Sequence, residues 1–302
     1  VEEILNSMHG SGISGSKRYI ALAKRLKRVV TRAVWLIALH IRRGSFEPVG
    51  YELDFREGGA FPPITIELPS GQKVLLTGRI DRVDALKTEE GTYLRIIDYK
   101  SGLKDFKLSD VAYGLQLQLI TYLDAIQAHG GMGISQPVLP GGMLYFHIDD
   151  PIITGTADST PEEIELAIMK KLKMKGLLLA DVKLIREMDH EINGDSTIIP
   201  ARINKGDVLG RSSAATLEQM NLLRNHTRRL LQRLCEEMMK GNVAIKPYKK
   251  KGITSCRYCS FSPVCQFDTA RAENRFRQLT DYKDAEVWEK LRQRENETEV
   301  GE

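Results

Sequence analysis

The 302-residue chain has no apolar run approaching the roughly 20 residues that a membrane helix requires, so a helical membrane anchor is not expected. Its first residues, Val-Glu-Glu-Ile-Leu-Asn, have neither the basic start and apolar core of a signal peptide nor an initiator Met. They read as the interior of a helix in a longer protein. A phosphate-binding G-x-x-x-x-G-K-[ST] loop is missing, so these residues supply no ATP site of that kind. Gly10, Gly12 and Gly15 have G-x-G-x-x-G spacing, but no strand precedes them, and an ordinary loop is expected. Cysteine is scarce at four residues, and Cys256, Cys259 and Cys265 fall within ten positions. That clustering disfavours a disulfide framework and points to a metal or cluster site. No internal repeat or low-complexity tract occurs.

What is present is a mixed charge pattern. The formal net charge is only +4, a weak field for attracting nucleic acid. Its distribution is uneven, with Lys17, Arg18, Lys24, Arg25, Lys27, Arg28 and Arg32 crowding one early segment and Lys246, Lys249, Lys250 and Lys251 a later one. Either cluster can be a solvated face or the flank of a nucleic-acid path.

Apolar spacing predicts a long basic helix over 17–43. Strands are expected at Tyr51–Phe55, Ile64–Leu68, Lys73–Asp84 and Tyr93–Tyr99, the last two joined as a hairpin through Glu89-Glu90-Gly91. A helix follows over Asp110–His129, then a strand over Met143–Ile148. Thr160-Pro161-Glu162-Glu163 starts a helix expected to run to Lys175 and stop at Gly176, and Thr216 with Gln219 caps another over 217–240. The organisation expected is an N-terminal helical segment (1–49), an α/β core (50–150), a helical insertion with a return helix (151–245), a cysteine segment (246–280) and a charged, frayed helical tail (281–302).

The most informative stretch is Gly78-Arg79-Ile80-Asp81, then Asp98-Tyr99-Lys100-Ser101. Strand side chains alternate faces, so Asp98 and Lys100 point the same way, beside Leu94 and Ile96. A carboxylate and an ammonium against apolar core need partners or a metal. If the hairpin pairs as read, Asp81 reaches the same spot, and two converging carboxylates call for a cation between them. Oxygen ligands with water completing the shell suit Mg²⁺, one ion or two. Such an ion would activate water and polarise a phosphodiester, with Lys100 holding the water and stabilising charge at phosphorus. The plain alternative is a surface Asp–Lys salt bridge. Gln118 and Tyr122, four apart on the next helix, share one face and can contact the metal water and a DNA backbone; equally, Tyr122 can be core and Gln118 surface.

G-x-x-D, D-Y-K-S and Q-x-x-x-Y together resemble the RecB-like nucleases of the PD-(D/E)XK superfamily. Leu144-Tyr-Phe-His-Ile148, Lys173-Met-Lys-Gly-Leu-Leu-Leu179 and Cys256-x-Tyr-Cys259-x-Phe-x-x-Val-Cys265-Gln-Phe-Asp268 extend the similarity over nearly the whole chain, to the AddB-type subunits of bacterial helicase–nucleases. The resemblance implies a restriction-endonuclease-like α/β fold, a central mixed sheet flanked by helices. It implies metal binding by Asp81 and Asp98, catalysis by Lys100 and an Mg²⁺-dependent exonuclease acting on the 5′-ended strand. It also implies an AddA-type partner, a cytoplasmic role in processing double-strand ends for recombination, and a [4Fe–4S] cluster. Cys256, Cys259 and Cys265 match three cluster ligands, the fourth being expected upstream. A metal-binding His in the first helix of many members is not matched by His9. A non-catalytic DNA-binding scaffold of the same fold is the alternative reading. On the residues alone, C-x₂-C-x₅-C lacks the second knuckle of a zinc ribbon, and Cys235, mid-helix, is a weaker candidate ligand.

Overall fold

The computed structural model describes residues 17–102, 104–129, 137–156 and 158–299. The Gly10–Gly15 loop and His9 lie outside them. No helix among the described residues is long and apolar enough to cross a membrane.

The chain opens with α1 (Lys17–Arg42), a segment free of Gly and Pro. Strands β1 (Glu47–Phe55), β2 (Ile64–Glu67), β3 (Lys73–Leu76), β4 (Gly78–Thr88) and β5 (Gly91–Lys100) follow. Next come α2 (Leu108–Ala112), α3 (Gln118–His129) and β6 (Val138–His147). After α4 (Pro161–Leu172), β7 (Lys175–Leu179) and α5 (Val182–Met188), short strands β8 (Gly194–Asp195), β9 (Arg202–Asn204) and β10 (Val208–Leu209) make a small sheet. Then come β11 (Ala214–Ala215) and α6 (Leu217–Met239). The cysteine segment holds β12 (Tyr248–Lys250), β13 (Ile253–Thr254), a one-turn α7 (Ser262–Cys265) and β14 (Arg277–Gln278), and α8 (Asp284–Glu299) closes the chain.

The expected mixed α/β architecture is present. The central sheet has six strands in the order β1-β4-β5-β6-β7-β11. The pairs β5–β6 and β7–β11 are parallel, the other three antiparallel. β5 is buried on both faces through Asp98, as a central strand must be. Side chains on one face of the β4–β5 hairpin meet α1, where the His40 and Phe146 rings cross edge to face at 5.5 Å. The other face meets α3. Both capping boxes form as expected, Thr160 with Glu163 and Thr216 with Gln219.

Several elements depart from expectation. Lys73–Asp84 is two strands with different partners: β3 pairs with β2 outside the main sheet, and β4 pairs with β1 and β5 within it. Asp110–His129 is two helices. Gly114 takes φ +82° and ends α2, its N–H donating to the Val111 carbonyl at 2.9 Å. A side chain there would also strike Leu230 Cδ2, 2.9 Å from the ideal Cβ.

The helix after Thr160 ends at Leu172, because the following Leu177–Leu179 fill the sheet rather than a helix face. Gly176 is required there, since a Cβ would lie 2.0 Å from the Met143 carbonyl oxygen. Residues 151–245 therefore contribute β7 and β11 to the central sheet and are not purely a helical insertion. Nor does the tail fray as a whole: Val287, Trp288 and Leu291 of α8 are buried.

Candidate active site

The site is built at the end of the β4–β5 hairpin. The register pairs Arg82 with Ile97, and one step further Asp81 comes opposite Asp98. Alternation then sorts the hairpin's polar residues onto two faces. Asp81, Asp98 and Lys100 share the face that meets α3, whereas Arg82, Asp84, Arg95 and Tyr99 share the face that meets α1.

Asp98 is 2% exposed, and its Oδ2 takes the Lys100 ammonium as an ion-pair partner without a hydrogen bond of regular geometry. Burial pushes the Asp98 carboxyl above its usual range; Lys100 pulls it down, and the neighbouring Asp81 charge pushes it up again. Asp81 is anchored by the Tyr99 backbone N–H, which donates to its Oδ2 at 2.7 Å. That bond occupies one oxygen and leaves the other for a further partner.

From α3, Gln118 and Tyr122 come one turn apart onto the same spot. Lys100 Nζ donates to Gln118 Oε1 at 3.5 Å, and Gln118 Nε2 donates to the Tyr122 hydroxyl at 3.3 Å. Four of the five residues picked out in the sequence thus form one connected chain, Asp98 through Lys100 and Gln118 to Tyr122, and the Asp81 charge lies beside Asp98. The Tyr122 ring is core, as one of the two alternatives had it, and its hydroxyl accepts from Gln118. Its ring stacks on Phe55 at 5.9 Å, within a stack that continues to Phe61 at 4.9 Å, and only its hydroxyl turns to the site.

Two neighbours, Tyr145 and His147, lie in the Leu144–Ile148 motif but were not singled out as site residues, and a buried charged cluster behind the sheet carried no signal of its own. Tyr145 lies beside Asp98 across the β5–β6 ladder and places its ring 5.7 Å from Lys100 Nζ. Burial and the Asp98 charge hold its phenol protonated far above the usual range. His147 pairs with Lys100 in the same ladder, and its Nε2 accepts the Lys104 N–H at 3.0 Å, tying down the loop that leaves the site. Behind the sheet, Asp84 accepts from two buried guanidiniums, from Arg82 Nε at 2.5 Å and from Arg95 Nη2 at 2.6 Å. His40 packs beside them and is held neutral, its pKa lowered to about 3 by burial and then by Arg95, Arg82 and Arg43. Being on the opposite face of the sheet, His40 is no partner to Asp81 and Asp98.

No group of three or more His, Cys, Asp or Glu with metal-holding geometry occurs among the described residues. Two converging carboxylates with one regular hydrogen bond between them nevertheless fit Mg²⁺, which keeps several waters and needs only one or two carboxylates. Cys256, Cys259 and Cys265 are free thiols on the surface, on successive turns from Ser255 to Cys265. Their donor chemistry suits an iron–sulfur cluster. Cys235 is buried in α6, packed as a small apolar residue.

The family follows from this arrangement and from sequence comparison. Residues 5–266 match the family model described as the PD-(D/E)XK nuclease superfamily. The chain belongs to that superfamily. Relatives include the B subunit of the ATP-dependent helicase/deoxyribonuclease of Acetivibrio thermocellus, 68% identical over 98% of this chain and 26% of the relative. The protein of the same name from Ruminiclostridium cellulolyticum is 66% identical over 95% of this chain and 25% of the relative. That from Clostridium novyi is 51% identical over 96% and 26%. The chain thus spans about a quarter of the length of these relatives.

Proposed function

We propose that this superfamily member is the DNA-cutting module of a bacterial helicase–nuclease subunit of the AddB type. It would hydrolyse phosphodiester bonds as an Mg²⁺-dependent exonuclease, acting on the 5′-ended strand that an AddA-type partner helps to unwind during recombinational repair in the cytoplasm. The observation that carries this reading is the buried Asp98 paired with the half-buried Lys100, with Asp81 facing it across the hairpin. A merely structural ion pair needs no second carboxylate, which raises its cost.

Asp81 and Asp98 would hold the ion, which when bound supplies an acidified water and polarises the phosphodiester. Lys100, steadied by Gln118, orients the attacking water and donates hydrogen bonds to oxygens that gain charge at phosphorus. The Tyr122 hydroxyl, held by Gln118, faces the substrate backbone. His147 holds the loop at Lys104 and so fixes the rim beyond Lys100.

Cys256, Cys259 and Cys265 would bind a [4Fe–4S] cluster with a fourth cysteine from the upstream part of the longer protein, stapling the two regions together. The cluster has no step in the chemistry.

End-labelled single-stranded DNA with Mg²⁺ tests the reading. Cleavage by the wild-type chain should fall by at least about a hundredfold in Asp98→Asn and in Lys100→Ala, both still folded by circular dichroism. Equal cleavage by all three would remove the site, and binding without cleavage by the wild type would leave a scaffold. Iron and acid-labile sulfide, lost on Cys259→Ser in the full-length protein, test the cluster; zinc in their place would overturn it.

A further inference from the structure

Lys173 and Lys175 have no part in the chemistry proposed above, yet the sheet carries Lys175 to the catalytic face. In the ladders Lys175 pairs with Tyr145, and Tyr145 pairs with Asp98. Residues directly opposite one another point to the same side of a sheet. Lys175 therefore stands in one row with Asp98, two strands away, which is roughly 10 Å at the usual strand spacing. The basic stripe of α1 is placed differently. It stands on the other side of the sheet and meets Asp149, Asp150 and Glu165 there.

The loop that leaves β5 crosses this row, and beyond it lies a cleft of about 310 Å³. Lys107, Lys173, Lys175 and Arg211 line the cleft together with Asp105 and Asp195. The two carboxylates do not neutralise it. Asp195 is already taken by Arg202, at 2.6 Å, and Asp105 meets Lys175 only at 3.9 Å. Lys107 comes within 3.9 Å of Asp281, which Lys250 and Lys251 also engage. Lys173 and Arg211 have no ion pair among the described residues. Lys173 is half-buried, and its pKa lies below the usual lysine value. Burial lowers it first, and the Lys175 and Lys170 charges lower it further, outweighing the pull of Asp195. Cations crowded in this way are relieved by an anion.

Positive groups continue from the active site to this cleft. The Lys104 charge is felt at Asp98, and the Lys175 charge at His147, whose ring holds the loop between them through the Lys104 N–H. Phe106, the aromatic residue lining the cleft, is packed against the core. The cleft thus offers charge and no open ring, which suits a phosphate and not a base.

We propose that Lys173, Lys175 and Arg211 hold a phosphate of the DNA strand beside the bond to be cut, and so set the register of that strand in the active site. This rests on the nuclease reading and adds a substrate-positioning site to it.

The test is titration of the chain with a fluorescent 20-nucleotide oligo-dT in chelator, read by anisotropy, so that binding is measured without cleavage. Lys175→Gln with Arg211→Gln should weaken binding by roughly three- to tenfold and flatten the logarithmic salt dependence by about 0.7 for the phosphate no longer held. Lys175→Arg with Arg211→Lys should bind as the wild type does. Lys87→Gln with Lys183→Gln, which removes equal charge at the opposite end of the sheet, should change neither affinity nor slope. Lys173→Met should weaken binding while its urea midpoint holds or rises, because a half-buried cation without an ion pair has been removed. No binding by the wild type, an unchanged slope in the Lys175–Arg211 variant or an equal loss in the Lys87–Lys183 control would each overturn the proposal. A lowered urea midpoint in Lys173→Met would make that lysine structural and also count against it. Cleavage with Mg²⁺ is measured separately. Binding through the cleft without cleavage would sink the nuclease reading alone, and cleavage indifferent to the Lys175–Arg211 variant would sink the cleft alone.

Discussion

The Tyr122 ring stands where a side chain on residue 78 would have to go. A Cβ added at Gly78 would lie 3.1 Å from the Tyr122 hydroxyl oxygen and 3.2 Å from its Cε1. The G-x-x-D and Q-x-x-x-Y motifs are therefore one piece of packing, in which the glycine makes room for the tyrosine that faces Asp81's strand. Gly78→Val should displace the ring, cost about 1–3 kcal/mol through overpacking and reduce cleavage sharply. Pairing it with Tyr122→Leu should return most of the stability without the activity. Urea midpoints and single-strand cleavage check both, and a fully active Gly78→Val chain would refute the coupling.

Asp98 is a carboxylate raised above its ordinary pKa, chiefly by burial. The folded state thus holds its proton more tightly than the unfolded chain does. Its contribution to stability is full below the unfolded value of 3.8 and is lost as pH rises through the folded one. Without divalent ions, Asp98→Asn should be more stable than wild type at neutral pH, the gap closing in acid. Mg²⁺ should raise the wild-type melting temperature and leave that of the variant where it was. Melting curves at pH 7.5 and pH 4.5 decide this.

His40 has the opposite linkage. Its pKa falls from 6.5 to about 3 on folding, so below 6.5 the unfolded state takes up a proton that the folded state refuses. Its contribution is complete above that pH and declines as pH drops toward 3, by up to about 1.4 kcal/mol per pH unit. His40→Leu should flatten the loss of stability between pH 6.5 and pH 4, read from urea midpoints. Parallel curves for the two proteins would mean that other groups carry the acid sensitivity.

Lys250 is anchored rather than available. It pairs with Asp110 on α2 and, at 2.5 Å, with Asp281 ahead of α8, and Asp281 also takes Lys251. Lys250→Met should cost about 1–3 kcal/mol and make the cysteine segment easier to proteolyse, with oligo-dT affinity unchanged. A loss of affinity with stability intact would return this cluster to the DNA path.

The sequence by itself determined the chemistry-bearing hairpin. Side chains alternate faces along a strand, so spacing alone put Asp98 and Lys100 on one face, and the Glu89-Glu90-Gly91 turn set the register that brings Asp81 opposite. Both capping boxes were equally legible, since each is completed within four residues. Tertiary structure decided what depends on distant partners. Leu177–Leu179, just past the helix end expected at Gly176, carried no assignment because a short apolar run has no diagnostic period; they became a strand because β6 and β11 were there to pair with. Whether Tyr122 was core or site depended on Phe55 and Gly78, which are remote in the chain. The α1 arginines acquired fixed positions only when Asp150 and Glu165 came to meet them. Local alternation and capping act through the chain's own next few residues, whereas pairing, burial and charge neutralisation depend on which segments the fold brings together.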